Sequence, residues 1–402
     1  MTVTIHPSRA SGEISAPPSK SMAHRLLIAA GLAEGESVVD NLAPSEDILA
    51  TIDCLRALGA TVDYENGKAR VLGIGGKIRR TAPHLPCREC GSTLRFFIPI
   101  AAISEEISTF SGSERLFKRP LSVYETVFSE QKLPFSIENN TLTLRGKLSS
   151  GNYTVKGNIS SQFITGLLFA LPLLHGDSTI TLLPPIESAS YLDLTVAALK
   201  AFGVKILWQN ETTLLIKGDQ TYKAGKITVE GDYSNAAFLS ALATLGDDVS
   251  VIGLDADSLQ GDRVYIPYFE KLKAGTPTLS LADCPDLGPV LMALAAALQG
   301  AVFTDTARLA IKESDRGAAM AEELKKCGVS CTVQDNTIKV PKQELTPPTE
   351  ALSGHNDHRI VMALSILLTR IGGIIEGAEA INKSYPDFFT VLQALGIRLT
   401  TE

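Results

Sequence analysis

Lys20 and Arg25 lie in Pro17-Pro18-Ser19-Lys20-Ser21-Met22-Ala23-His24-Arg25, which runs straight into the apolar Leu26-Leu27-Ile28-Ala29-Ala30. Two prolines cannot continue a helix interior, Ser19 or Ser21 can cap a first turn, and the leucines and alanines that follow favour helix. Both cations therefore fall within about a turn and a half of a helix N-terminus. Unpaired N–H groups, two hydroxyls and two positive charges at one point suit a phosphate or a carboxylate. Further along, Lys312-Glu313-Ser314-Asp315-Arg316 precedes a helix expected over 317–326, and Asp286 follows Pro285 ahead of a helix expected over 291–298. Taken singly, each string reads as a capped surface helix with solvated charges. If the helix starts converge, Asp286 and Glu313 become two carboxylates among several cations, a pair able to divide base and acid roles.

The elements that must position these residues recur along the chain. Short polar segments open into long Leu/Ala-rich helices at Ser21, Ser92, Ser161, Ser234, Asp286 and Asp357, and these markers fall 71, 69, 73, 52 and 71 residues apart. That is a six-fold internal repeat with one short interval. A helix end with Gly followed by alternating strand residues keeps the same beat at Gly59-Ala60-Thr61-Val62, Gly203-Val204-Lys205-Ile206 and Gly328-Val329-Ser330-Cys331. Each repeat is too long for a solenoid unit and too short for a typical domain. In detail, a strand is expected over 3–5, a helix over 45–58 and a hairpin over 61–72. Pro120 fits the first turn of a helix, leaving Arg119 at its start. Ser160 and Ser161 precede an apolar helix over 163–174; one serine suffices as a cap, which leaves the other, and the amide of Gln162, for a ligand. Ser188 and Tyr191 fall in a loop before a helix over 192–201.

At 402 residues and 45% hydrophobic composition the chain can bury more than one core, so two domains are expected. Met1 to His6 carries no basic-plus-apolar leader, and the longest apolar runs, such as 289 to 298, end short of the ~18 residues a membrane span needs. A cytoplasmic protein without a membrane partner is expected. The formal charge of −7 disfavours a nucleic-acid partner but leaves room for a small anion held by a local positive cluster. The six cysteines have no disulfide-framework spacing. Cys87-Arg88-Glu89-Cys90 is a lone C-x-x-C without a second ligand pair, and His355 and His358 read as lining a polar helix start, so no metal site is expected.

With Ser19-Lys20-Ser21 and Arg25, Gly91-Ser92-Thr93-Leu94-Arg95, Arg119-Pro120, Ser160-Ser161-Gln162, Lys312-Glu313-Ser314-Asp315-Arg316, Asn356-Asp357-His358-Arg359 and Lys383-Ser384-Tyr385-Pro386-Asp387 in this order, the sequence resembles the 5-enolpyruvylshikimate-3-phosphate synthase family. Each motif alone is weak; seven in register from end to end are specific. The resemblance implies an α/β fold of two similar lobes, each of three βαβαββ-like repeats with helix N-termini facing an interlobe cleft. It implies an N-terminal lobe over 13–228 on the shikimate 3-phosphate side. A C-terminal lobe of 1–12 and 229–402 would complete the phosphoenolpyruvate site.

The implied reaction moves the enolpyruvyl group of phosphoenolpyruvate to the 5-hydroxyl of shikimate 3-phosphate through a tetrahedral adduct that expels phosphate, with no metal or organic cofactor. Carried over by motif, Ser21, Arg25, Ser160, Ser161, Ser188, Asp286 and Lys312 hold shikimate 3-phosphate, with Gln162 and Tyr191 against its ring. Lys20 touches both substrates. Gly91, Arg119, Gln162, Arg316, Arg359 and Lys383 take phosphoenolpyruvate. Asp286 is the implied base and Glu313 the implied acid, with Lys20 and Lys312 stabilising charge. A monomer sensitive to glyphosate is implied, Gly91 leaving room for that inhibitor. Departures from the commoner pattern are Pro18 for glycine, Glu89 and Ser92 for Asn and Thr, and Arg308 where an Asn often contacts the shikimate phosphate. The related transferase acting on UDP-N-acetylglucosamine uses a mobile-loop cysteine; here no cysteine lies between Cys90 and Cys284.

Overall fold

The computed structural model describes residues 1–80 and 83–402. Two compact units account for them: Lys20–Glu230, and Met1–Ser19 together with Gly231–Glu402. The first crossing lies later than Gly12, the boundary expected from the sequence. Strand Ser11–Ser15 pairs in parallel with Asp248–Ile252, and Pro18 bridges to Gly231, so residues 13 to 19 belong to the discontinuous unit. At the other crossing, Lys226–Thr228 pairs with residues 38–40 and the Val229 N–H donates to the Asp40 carbonyl at 2.9 Å, which holds the chain in the first unit through Glu230.

The six-fold beat becomes six small sheets among the described residues, five of four strands and one of two. In the clearest copy, Asn152–Lys156 leads through the helix Ser161–Ala170 to a parallel partner, Ser178–Leu183. The helix Ala189–Ala201 and an antiparallel hairpin, Ile206–Asn210 with Thr213–Ile216, complete it. The same order returns with His84–Pro86 and with Thr278–Ser280 as first strands. Two copies are closed by strands from far along the chain: Lys226–Thr228 joins Glu36–Asp40, and Thr2–Ile5 sits between Gly373–Glu376 and Leu399–Thr401. The short 52-residue interval is the two-stranded copy. After Asp248–Ile252 the chain enters the helix Tyr265–Ala274 and goes directly to the next repeat, without the hairpin carried by the copies that hold residues 61–72, 135–144, 206–216 and 332–340.

Burial follows the two periodicities. Strands such as Asn152–Lys156 and Lys68–Leu72 alternate exposed and buried residues, so each sheet gives one face to solvent. The helices that open each repeat are apolar nearly all round: in Gly288–Ala297 residues 288 to 296 are buried. Each unit therefore has helices inside and sheets outside, and each has its own apolar core. Gly166 allows a close helix contact. A Cβ there would lie 2.3 Å from the Tyr124 hydroxyl and 2.5 Å from the Arg95 carbonyl, so only glycine lets Ser161–Ala170 approach Gly91–Ala101 so closely.

Candidate active site

In the unit Lys20–Glu230, four of the expected residues gather around Lys20–Leu32. Lys20 opens this helix and its ammonium pairs with Asp47 at 2.8 Å; Asp47 is in the first turn of Glu46–Leu58. Buried Arg25 donates to the Ser21 carbonyl (2.7 Å), the Tyr191 carbonyl (3.1 Å) and the Thr195 hydroxyl (2.9 Å). Its guanidinium also lies over the rings of Phe96 and Tyr191. Burial lowers its pKa to about 10, still far above neutrality. Tyr191 is in the second position after Ala189 of a helix, not in the loop expected from the sequence, because the helix starts three residues earlier than Leu192. Ser188 takes the left-handed N-cap position at φ 57° and is buried.

Ser160 is the capping serine: its hydroxyl accepts from the Gln162 N–H at 3.3 Å, and Ser161 starts the helix as a buried residue. The Gln162 amide is also engaged within the protein, by one bond at each end. Its Oε1 accepts from Arg95 at 2.7 Å and its Nε2 donates to the Ser92 hydroxyl at 2.8 Å. Those bonds fix the Gln162 amide against Gly91–Ala101. Gly91 begins that helix beside Arg119: a Cβ on Gly91 would meet the Arg119 guanidinium at 2.6 Å. Arg119 itself follows the short helix Glu114–Lys118 and is not at the start of the next, which begins at Ser122, past Leu121.

In the discontinuous unit the charged residues form one network. Arg316, almost fully buried, donates to Asp286 (2.7 Å), Glu313 (2.7 Å) and Asp357 (2.9 Å). Lys312 reaches the same Asp286 oxygen at 3.1 Å, and Arg359 stands 3.5 Å from the other. Burial works against the Arg316 charge, but Asp357, Glu313 and Asp286 outweigh it and raise its pKa well above the usual value. For Lys312 burial prevails: it lowers the pKa, with Arg308 and Arg316 pulling the same way against Asp286 and Glu313. Asp286 is in a single 3-10 turn, Pro285–Leu287, and it does not cap the helix that follows; its carboxylate is spent on cations. Arg308 donates to the Ala282 carbonyl at 3.3 Å, and Lys383 to the Asn356 carbonyl at 2.7 Å.

A sequence profile described as EPSP synthase (3-phosphoshikimate 1-carboxyvinyltransferase) matches residues 5–275 and 273–392. The 3-phosphoshikimate 1-carboxyvinyltransferase of Clostridium kluyveri is 40% identical over 98% of this chain and 97% of its own. The chain belongs to the EPSP synthase family. The relative from Clostridioides difficile is 38% identical over 99% of this chain and 98% of its own. An EPSP synthase structure from Acinetobacter baumannii has TM-score 0.77 at 22% identity, covering both chains completely. The enolpyruvyl transferase NikO of Streptomyces tendae has TM-score 0.79 at 15% identity, covering 99% of this chain and 98% of its own. The fold is that of the enolpyruvyl transferases, as the sequence resemblance implies. No helix among the described residues is long and apolar enough to cross a membrane.

Several polar residues of this EPSP synthase family member escape sequence reasoning because their partners are remote. Asp357 reads as a helix cap, which it is, accepting from the Arg359 N–H at 2.9 Å; it is also the buried anchor of Arg316 and accepts from the Ser314 hydroxyl at 2.9 Å. Asn235 accepts from Arg359 at 3.3 Å. Asp262 is bonded by the Ser234 hydroxyl, with nothing in the local sequence to signal it. Burial, reinforced by Asp286 and Asp232 against Ser234 and Arg359, pushes the Asp262 carboxyl up to about 7.

That carboxyl keeps its proton in the folded chain at pH values where an unfolded aspartate, near 3.8, has lost it. Its contribution is therefore fully present below pH 3.8 and is lost as pH rises through about 7. Asp262→Asn removes this dependence. Its urea midpoint is expected to move upward relative to the parent protein between about pH 5 and about pH 8. A midpoint difference that stays flat over that range contradicts the assignment.

Proposed function

We propose that the protein transfers the enolpyruvyl group of phosphoenolpyruvate to the 5-hydroxyl of shikimate 3-phosphate, releasing phosphate, on the path to chorismate and the aromatic amino acids. The observation that carries the mechanism is the placement of Asp286 and Glu313 on a single buried guanidinium, that of Arg316, with Lys312 beside Asp286. Two carboxylates with fixed, different surroundings can divide the proton transfers: Asp286 accepts the hydroxyl proton as that oxygen bonds to the central carbon of phosphoenolpyruvate, and Glu313 protonates its methylene carbon. The tetrahedral adduct then collapses, its new methyl group returning a proton to Glu313 as phosphate leaves. Lys20 and Lys312 offset the developing charge.

The unit containing Lys20 takes shikimate 3-phosphate through Ser21, Arg25, Ser160, Ser161 and Ser188, with Gln162 and Tyr191 against the ring. Gly91, Arg119, Gln162, Arg316, Arg359 and Lys383 take phosphoenolpyruvate, and Arg308 adds charge for the shikimate phosphate. Both substrates are anionic, so arginine forks suit their carboxylate and phosphate groups. Glyphosate competes for the phosphoenolpyruvate positions, and the protein works in the cytoplasm as a single chain.

Phosphate release by the purified protein should require both substrates together. Release with phosphoenolpyruvate alone, or none with both, overturns this function. Gly91→Ala supplies a narrower test. The added methyl displaces the flexible end of Arg119 and leaves the backbone unstrained, so folding survives while KM for phosphoenolpyruvate is expected to rise about 10- to 100-fold, the loss of a charge-assisted hydrogen bond. KM for shikimate 3-phosphate should stay near its original value.

A further inference from the structure

Among the described residues, two sets of imidazole, carboxylate and thiol groups bring one ligand atom each within 4.8 Å of the others: Glu322 with Glu323 and His355, and His24 with Asp47 and Cys90. In the first set Glu323 is already occupied, by His355 at 2.8 Å, Lys326 at 3.1 Å and the Ser353 N–H at 3.0 Å. The second set is built differently. His24, Asp47 and Cys90 are all buried, and each comes from a different helix: His24 from within Lys20–Leu32, Asp47 from the first turn of Glu46–Leu58, and Cys90 from the cap of Gly91–Ala101.

The imidazole is oriented by a hydrogen-bond chain behind it. His24 Nδ1 is 2.7 Å from the Thr51 hydroxyl, which is 2.8 Å from the Thr93 hydroxyl, and both threonines are fully buried. In the tautomer protonated at Nδ1, Thr51 accepts that proton and donates its own toward Thr93, and Nε2 carries the lone pair. That Nε2 is 3.9 Å from Cys90 Sγ. An outer partner on the second ring nitrogen is the usual support of a metal-binding histidine.

One imidazole nitrogen, one sulfur and one carboxylate oxygen are a zinc ligand set, with the fourth tetrahedral position left for water. Bonds of about 2.0–2.3 Å place tetrahedral ligand atoms roughly 3.5 Å apart, so the nitrogen and sulfur need only a small adjustment. We propose that His24, Asp47 and Cys90 form a binding site for zinc or a similar borderline-soft divalent cation, and that the bound cation takes Asp47 from Lys20 and inhibits the enzyme. On binding, Cys90 gives its thiol proton to solvent, a metal–sulfur bond forms, and Lys20 keeps its charge but loses its carboxylate partner. Thiolate and carboxylate together neutralise the dication. Only the inhibition rests on the role assigned to Lys20; the binding does not.

Cobalt(II) is the probe, because a tetrahedral cobalt–thiolate centre has a sulfur-to-metal charge-transfer band that oxygen and nitrogen ligands cannot produce. The intact protein should bind one cobalt with that band, and zinc should displace it. Cys90→Ser, which keeps a capping side chain, should abolish the band and make the enzyme at least about tenfold less sensitive to zinc while leaving turnover without metal unchanged. His24→Gln should weaken cobalt binding by a similar factor, and thermal melting checks that both variants fold.

A cobalt spectrum without the sulfur band, as expected for Glu322, Glu323 and His355, overturns the site. So does a band that survives in Cys90→Ser, or zinc inhibition equal in both proteins. A sulfur band with no loss of activity under zinc refutes the displacement of Lys20. Because the cobalt signal needs no turnover, its failure is separate from a failure of the phosphate-release assay.

Discussion

Asp286→Asn is expected to lower kcat by about 100- to 10,000-fold, the range for loss of a positioned acid–base group, with KM for both substrates changed far less. The geometry supports such a split. Asp286 Oδ1 takes Arg316 at 2.7 Å and Lys312 at 3.1 Å, and Oδ2 faces Arg359 at 3.5 Å. Three cations on one carboxylate would oppose its taking a proton if all three were fixed charges. Lys312 differs from the two arginines in that burial pulls its pKa down, against Asp286 and Glu313. Asparagine keeps the shape and an acceptor oxygen but cannot take a proton. Arg316 retains Glu313 and Asp357, so the variant should melt close to the parent protein. Steady-state kinetics alongside a melting curve decide the matter: near-normal kcat in a folded variant removes Asp286 from the base role.

Arg316→Met should act on the fold as much as on the chemistry. Asp357 and the Arg316 side chain are buried almost completely, and Asp286 and Glu313 are about four-fifths covered. Methionine fills similar space but leaves the three carboxylates without their common cation, and removing one partner from a buried charge cluster costs about 3–5 kcal/mol. For a unit of this size that is a fall in Tm of roughly 10 °C, with activity lost besides. Lysine should rescue little, because a single ammonium cannot reproduce three directed hydrogen bonds to three different carboxylates. If Arg316→Met melts within about 2 °C of the parent, the network is far less strongly coupled to folding than its geometry indicates.

How much of this was legible beforehand depended on whether the information was local. Proline pairs, capping residues and apolar runs mark helix starts, so the six openings and the one short interval are written in spacing alone. Boundaries were less secure: Tyr191 lies on a helix and Asp286 in a 3-10 turn, where propensity gave a loop and a cap. Long-range partners were not visible at all. Asp47 reads as an acid complementing a helix dipole, yet it meets Lys20 from 27 residues away; Asp262 and Ser234, and Arg95 and Gln162, are joined across 28 and 67 residues. No local pattern encodes such pairs, because each residue satisfies a plausible local role on its own.

The strand Thr2–Ile5 lies between Gly373–Glu376 and Leu399–Thr401, with the Thr2 N–H and carbonyl bonded to Glu402 at 2.8 and 2.9 Å. On the ribosome this means that Thr2–Ile5 waits for neighbours translated far later than itself. Lys20–Glu230 can condense while translation continues, whereas the other unit must keep an unpaired edge exposed until Leu399–Thr401 has been made. Chaperone demand, and sensitivity to truncation near residue 400, should therefore concentrate in that second unit.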